Sequence, residues 1–198
     1  MTSARAYGRA MPAPIVVLHA AYGLTPGTLA LAEDLRAATG REVITPDYYR
    51  GEVFTDEARG VAHRDEVGYR TLLDRVRDDL VGVPSDAAFV GLSLGASFAQ
   101  RLTAERPAMS LCVLIGNTNP VRGAWPGVPV QVHHYADDPW VNSADVSDLE
   151  RVVRESGATF EHVVAPGAGH LFTEPALPEH DPALTAEVVD RIARRLSA

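Results

Sequence analysis

The chain has 198 residues, 46% of them hydrophobic, and a net charge of −8 from 26 acidic and 18 basic residues. This length suits one domain spanning residues 1–198, and the acidic balance argues against nucleic acid or an anionic membrane as a partner. No apolar run reaches the roughly 20 residues of a membrane helix, and residues 1–14 lack a signal-peptide pattern, so we expect a cytoplasmic protein.

Short apolar runs alternate along the chain with longer stretches of helical spacing. The runs predict strands, which in chain order cover residues 15–19, 42–45, 87–90, 111–115, 128–133 and 159–164. The longer stretches predict helices, which cover residues 28–38, 65–81, 94–105, 144–156 and 183–196. Residues 47–64 combine two glycines with many charges, and there we expect an irregular loop that could act as a lid.

Strands that alternate with helices indicate βα units and a mostly parallel sheet. Right-handed crossovers then place helices on both faces. We therefore predict a three-layer α/β fold with about six strands. In such sheets the active site lies at the carboxyl ends of the strands, so functional side chains should directly follow strands.

The segment Gly91-Leu92-Ser93-Leu94-Gly95 is a G-x-S-x-G motif between a predicted strand and a predicted helix. That context favours a nucleophilic serine, because a tight turn lifts the hydroxyl above the sheet edge and requires flanking residues without bulk. The first turn of the helix directs its free N–H groups at the site, so the Leu94 N–H can bind an oxyanion. A small residue in an ordinary tight turn is the alternative for Ser93.

A nucleophilic serine needs a base, and the base needs an orienting acid. The fifth predicted strand leads into Asp137 and Asp138, and the sixth leads into a glycine-rich loop containing His170. The order Ser, Asp, His is the one that hydrolases built on such a sheet use. We predict that Ser93 and His170 form a catalytic triad with Asp138 or Asp137 as the acid. We favour Asp138, because the stretch from Asp138 to Val141 resembles the Asp-x-x-Val pattern that usually follows this strand.

Several stretches of the chain resemble the dienelactone hydrolase family of the α/β-hydrolase superfamily. These stretches are His19 to Leu24, Pro46 to Tyr49, Gly91 to Gly95, Asp138 to Val141 and Pro166 to Phe172. The resemblance implies an α/β-hydrolase fold and a second oxyanion donor in the loop after the first strand, which falls on the Ala21 N–H. The namesake enzymes use Cys where this chain has Ser93, so it resembles a serine variant.

Two further differences concern the substrate. The family carries a Glu in the first loop where this chain has Ala20, and a serine nucleophile does not need that side chain. The family also holds a substrate carboxylate with two Arg side chains. The matching position shortly after His170 is Glu174 here, and the other falls near Arg50 or Gly51. These differences argue against a carboxylate-bearing dienelactone as substrate.

We expect hydrolysis of a small-molecule carboxylic ester or lactone through an acyl-enzyme on Ser93, with no metal and no organic cofactor. Thioesterase or peptidase activity with the same triad is an alternative, as is a catalytically silent binding protein; the oligomeric state stays open. Aromatic and apolar residues of the loops at the same edge of the sheet could line a substrate pocket. The candidates are Tyr22, Tyr48, Trp140, Leu171 and Phe172.

Overall fold

The computed structural model of the protein describes residues 12–198. Six strands form one sheet, namely β1 (Ile15–Leu18), β2 (Val43–Ile44), β3 (Ala88–Leu92), β4 (Cys112–Ile115), β5 (Val130–Asp137) and β6 (Phe160–Ala168). The helices are α1 (Pro26–Thr39), α2 (Glu57–Val67), α3 (Tyr69–Asp79), α4 (Leu94–Leu102), α5 (Ser143–Glu155) and α6 (Pro182–Ser197). Most of residues 1–14, where we predict no signal peptide, lie outside the described residues.

The six strands are all parallel, in the order β2-β1-β3-β4-β5-β6. Side chains alternate between the two faces of the sheet, so that Ile15 and Val17 face one way and Val16 and Leu18 the other. Helices α1 and α6 pack on the first face, and α3, α4 and α5 pack on the second. The predicted three-layer fold with helices on both faces is therefore confirmed.

Local sequence signals account for the ends of α1. Thr25 caps its start by accepting a hydrogen bond from the Thr28 N–H, and Pro26 follows as the first helical residue. Gly40 ends the helix in the left-handed conformation, with φ of 64°. The helix begins at Pro26, two residues before the predicted start at residue 28, and ends at Thr39, one residue after the predicted end.

The region between β2 and β3 differs from the prediction. We expected an irregular loop over residues 47–64 and one helix over 65–81, but α2 already begins at Glu57 and ends at Val67. Gly68, with φ of 88° and ψ of 134°, then separates α2 from α3. A positive φ combined with an extended ψ is not helical, so this residue ends one helix and changes the direction of the backbone before the next. Glycine adopts such a conformation without steric cost. Whether α2 moves as a lid stays a prediction.

Strands β5 and β6 run further than predicted. β5 continues to Asp137 and β6 to Ala168, where their pairing ends after an irregularity at Tyr135. Asp138 still follows β5 directly, and His170 still follows β6. Within residues 12–198, no helix has both the length and the apolar character to span a membrane.

Candidate active site

Ser93 lies at the turn between β3 and α4 in a strained conformation, with φ of 51° and ψ of −106°. This turn brings Gly91 and Gly95 against neighbouring backbone. A Cβ on Gly91 would lie 2.3 Å from the Gly95 carbonyl oxygen, and one on Gly95 would lie 2.0 Å from that of Leu18. Both positions therefore exclude any side chain, as the motif predicts.

The structure brings Ser93, His170 and Asp138 together. The Ser93 Oγ lies 2.7 Å from His170 Nε2, and His170 Nδ1 lies 3.0 Å from each carboxylate oxygen of Asp138. A carboxylate only accepts hydrogen bonds, so Nδ1 carries the imidazole proton and Nε2 is free to accept one from the serine. The arrangement gives a hydroxyl a direct proton path to a base.

The geometry also separates the two candidate acids. The Asp138 side chain is fully buried, whereas Asp137 is exposed at the end of β5. The Asp138 carboxylate accepts a second hydrogen bond from the Trp140 backbone N–H at 2.9 Å. These donors compensate the cost of burying the charge, and they fix the carboxylate against the imidazole.

A cavity of about 330 Å³ opens onto Ser93 and His170. Ala21 and Leu94, the predicted oxyanion donors, line it beside Ser93. Leu94 is the first residue of α4, where backbone N–H groups have no partner within the helix. Both groups are thus placed where an oxyanion donor is needed, and their role stays a proposal.

Two of the five predicted pocket residues, Tyr22 and Trp140, line this cavity. Burial, with nearby carboxylates led by Glu57, raises the pKa of Tyr22 to about 12, so its hydroxyl keeps its proton at neutral pH. The Trp140 ring lies 5.9 Å from the His170 ring and is half exposed, so it borders the cavity at its mouth.

The other three lie in the hydrophobic core instead. The Tyr48 ring is fully buried and stacks on His19, with ring centroids 3.6 Å apart, and its hydroxyl donates to the His19 carbonyl. Leu171 and Phe172 are buried in the cluster formed with α1 and α6. The loop after His170 turns Leu171 and Phe172 inward, and none of the three residues lines the cavity at Ser93.

Glu174, one of the positions at which the chain differs from the family's pattern, has a structural role. Glu174 is buried and accepts a hydrogen bond from the Thr25 hydroxyl, with its carboxylate against Gly27 in the first turn of α1. A carboxylate is favourable there because the helix start carries partial positive charge. Arg50 lies in an exposed turn with φ of 57°. Glu174 therefore serves the fold at the start of α1.

Sequence reasoning missed several residues at this site. Glu57, Val61 and Arg64 line the cavity from one face of α2, and their helical spacing was hidden by the expectation of a loop. Asn117, after β4, also lines it and donates to the Ser93 carbonyl at 3.4 Å. Gly116 packs beneath the base, since a Cβ there would lie 3.0 Å from His170 Cε1.

Three other histidines, His19, His133 and His134, are also buried. Burial lowers the pKa of His19 to about 4 and that of His133 to about 3. Both are therefore neutral at physiological pH. His133 and His134 face opposite sides of β5, as their adjacent positions predict. Among residues 12–198, no group of three or more His, Cys, Asp or Glu side chains is arranged to hold a metal ion.

The parallel sheet and the strained serine turn at its edge define an α/β-hydrolase. The sequence profile of the dienelactone hydrolase family matches residues 3–196. The chain belongs to the dienelactone hydrolase family of the α/β-hydrolase superfamily.

Solved structures with the same fold are distant in sequence. A dienelactone hydrolase-like promiscuous phosphotriesterase from metagenomic libraries shares 21% identity, with a TM-score of 0.75 over 96% of this chain and 88% of that one. A protein named m3DLH shares 20% identity, with a TM-score of 0.76 over 96% and 88%. A phospholipase/carboxylesterase from Dyadobacter fermentans shares 15%, with a TM-score of 0.63 over 93% and 91%. A search of curated proteins gave no match.

Proposed function

We propose that the protein is a serine hydrolase that cleaves small carboxylic esters or lactones through an acyl-enzyme on Ser93. The observation that carries this proposal is the hydrogen-bonded chain from the Ser93 hydroxyl through His170 to the buried Asp138 carboxylate. Ser93, at one end of this series of hydrogen bonds, lines a cavity of about 330 Å³, which is large enough for a small acyl group.

In the first half of the reaction, Ser93 Oγ attacks the carbonyl carbon of the ester while His170 Nε2 takes the hydroxyl proton. Asp138 keeps the imidazole in the required tautomer and stabilises the imidazolium that forms. The negative charge on the carbonyl oxygen is bound by the N–H groups of Leu94 and Ala21. One such donor is typically worth about 10²–10³ in rate.

The tetrahedral intermediate collapses when His170 returns the proton to the leaving alcohol oxygen, and the ester C–O bond breaks. A lactone keeps that oxygen within the acyl group, so its ring opens without loss of a fragment. In the second half, His170 removes a proton from water, whose oxygen attacks the acyl carbon. The Ser93 oxygen then leaves with the proton from the imidazole, and the carboxylic acid is released.

The test is hydrolysis of p-nitrophenyl acetate and of a simple lactone, together with labelling by a fluorophosphonate probe. We expect Ser93→Ala to abolish labelling and to lower kcat by at least about 10⁴. Ser147→Ala is the matched control, because its hydroxyl lies on the exposed face of α5 and bonds only the Ser143 carbonyl. Equal activity of wild type and Ser93→Ala would refute the proposal.

The same experiment separates the alternatives. We would measure kcat/KM for acyl thioesters and short peptides beside the oxygen esters. The substrate class with the highest kcat/KM then identifies the protein as an esterase, a thioesterase or a peptidase. A folded protein that neither labels nor turns over any of these substrates would be a binding protein on a hydrolase scaffold.

A further inference from the structure

A second, larger cavity lies beside the catalytic one, between α3, the far part of α4 and the loop of residues 119–126. Its volume is about 730 Å³. Four arginines line it, together with the apolar side chains Leu73, Val121, Trp125 and Pro126. The arginines are Arg70, Arg77, Arg101 and Arg122. We refer to this cavity as the arginine groove.

The arginine groove adjoins the cavity at Ser93. Tyr69 and Ser97 line both cavities, and their hydroxyl oxygens lie 3.4 Å apart at the boundary between them. The Tyr69 side chain stands at this boundary and is 40% exposed. A substrate bound at Ser93 that extends into the groove therefore passes over the contact between Tyr69 and Ser97.

Helix α4 fixes the distance between the two cavities. Ser93 lies at its start, Ser97 one turn later, and Arg101 one further turn on, so these residues follow one side of the helix. With a rise of 1.5 Å per residue, Arg101 lies about 12 Å along the axis from the nucleophile. A group held by the groove is thus roughly 10 Å from the reacting carbonyl.

The groove carries more positive than negative charge, because four arginines and one carboxylate, that of Asp74, are among its lining residues. Arg77 forms ion pairs with Asp74 and Glu105, which satisfy that one side chain. By contrast, Arg70, Arg101 and Arg122 form no ion pair within residues 12–198. Most of the other arginines that lie in helices have a carboxylate partner. In a chain with a net charge of −8, this is a local reversal of sign.

Hydrogen bonds hold the groove in shape. Asn119 donates from its side chain to the Ser97 carbonyl at 2.8 Å, and its backbone N–H donates to Gln100 Oε1 at 2.7 Å. Gln100 Nε2 in turn donates to the Asn119 carbonyl at 2.9 Å. The loop is thereby fastened to α4 at Asn119, two residues before Val121 and three before Arg122.

We propose that the natural substrate is an ester carrying an anionic group, a carboxylate or a phosphate, roughly 10 Å from the ester carbonyl, and that Arg70, Arg101 and Arg122 bind this group. The apolar side chains of the groove contact the connecting part of the substrate. This inference rests on the proposed function. It differs from recognition of a carboxylate beside the ester, because the groove lies two turns of α4 away from Ser93.

The test compares esters that differ only in a remote charge. One series has p-nitrophenyl esters of eight- to ten-carbon acyl chains ending in a carboxylate, a phosphate or a neutral methyl ester. A second series has acetates whose alcohol part bears the same ends. The variant replaces Arg70, Arg101 and Arg122 with Gln, and Arg194→Gln on the exposed end of α6 is the control for lost charge.

We expect wild type and Arg194→Gln to prefer the anionic ester over its neutral partner in kcat/KM in at least one series. The triple variant should lose this preference by about tenfold or more, since each exposed charge pair contributes roughly two- to fivefold. In 0.5 M NaCl the wild-type preference should fall, because exposed charges are screened. The carboxylate and phosphate arms show which anion is bound better.

The inference would be overturned if the protein hydrolysed neutral and anionic esters with equal kcat/KM in both series. If that hydrolysis still depended on Ser93, the proposed function would remain intact. If no ester were turned over, the proposed function would fail. Binding of the same esters to Ser93→Ala, measured by calorimetry, would then decide the inference. An equal Kd with and without the three arginines would refute it, and an approximately tenfold weaker Kd without them would support it.

Discussion

Replacing Asp138 with Asn tests the catalytic geometry in a single atom. In the wild-type protein, each carboxylate oxygen of Asp138 lies 3.0 Å from His170 Nδ1 and can accept its proton in a hydrogen bond. The carboxylate also accepts a hydrogen bond from the Trp140 N–H. An amide of the same size can keep the Trp140 contact through its oxygen, but its NH₂ group then faces His170 Nδ1. The amide N–H of the new Asn side chain favours the imidazole tautomer that carries its proton on Nε2. In that tautomer, Nε2 cannot accept the proton of the Ser93 hydroxyl.

The expected loss follows from this tautomer change and from the missing charge beside the imidazolium. We expect kcat to fall about 10⁴-fold, as such a substitution does in a serine protease triad, which corresponds to about 5 kcal/mol of transition-state stabilisation. KM should change little, because Asp138 is fully buried and does not line the cavity. The assay is p-nitrophenyl acetate hydrolysis at saturating substrate.

Asp137→Asn is the matched control, because the neighbouring carboxylate is exposed and should be dispensable. Circular dichroism spectra and melting temperatures of both variants check that each is folded. Retention of more than about a tenth of wild-type kcat by a folded Asp138→Asn, or an equal loss in Asp137→Asn, would refute the reasoning.

Three further predictions concern backbone space and burial. Gly95→Ala should destabilise the fold by about 3 kcal/mol in urea unfolding, because its Cβ would meet the Leu18 carbonyl oxygen at 2.0 Å; near-native stability would contradict this. Gly116→Ala should lower kcat about tenfold with little change in KM, since its Cβ presses on His170 at 3.0 Å and displaces the base; an unchanged kcat would show that the loop yields instead. The third prediction concerns His133. Burial lowers its pKa to about 3 in the folded state, whereas the same side chain in the unfolded state takes up a proton as pH falls below about 6.5. Between pH 7.5 and 5, wild type should therefore lose about 2 kcal/mol more stability in urea unfolding than His133→Leu; equal losses would exclude this linkage.

The sequence alone predicted the sheet, its six strands and the order of the proposed triad. Parallel strands buried on both faces have nearly continuous apolar runs, and the serine turn requires glycines on both sides. Both features can therefore be recognised from a few consecutive residues. Family membership followed from the same stretches. The strand ends were less well predicted, because β5 and β6 stay paired beyond their apolar runs, to Asp137 and Ala168.

Tertiary structure decided what depended on direction and burial. Asp137 and Asp138 are adjacent and chemically identical, and only the turn after β5 buries one against His170 and exposes the other. Likewise Leu171 and Phe172 follow the base directly, yet the loop turns them into the core. Composition gives the preference for burial, but the path of the backbone determines which side chain is buried.

Helix α2 shows the same limit. Its sequence is rich in charges and lacks a long apolar face, so local spacing did not distinguish a helix from a loop. Only packing over the sheet edge placed one of its faces on the catalytic cavity. The arginine groove likewise draws on α3, α4 and the loop after β4, which are distant in sequence. Short-range patterns determine elements and motifs, whereas cavities arise from the positions at which separate elements meet.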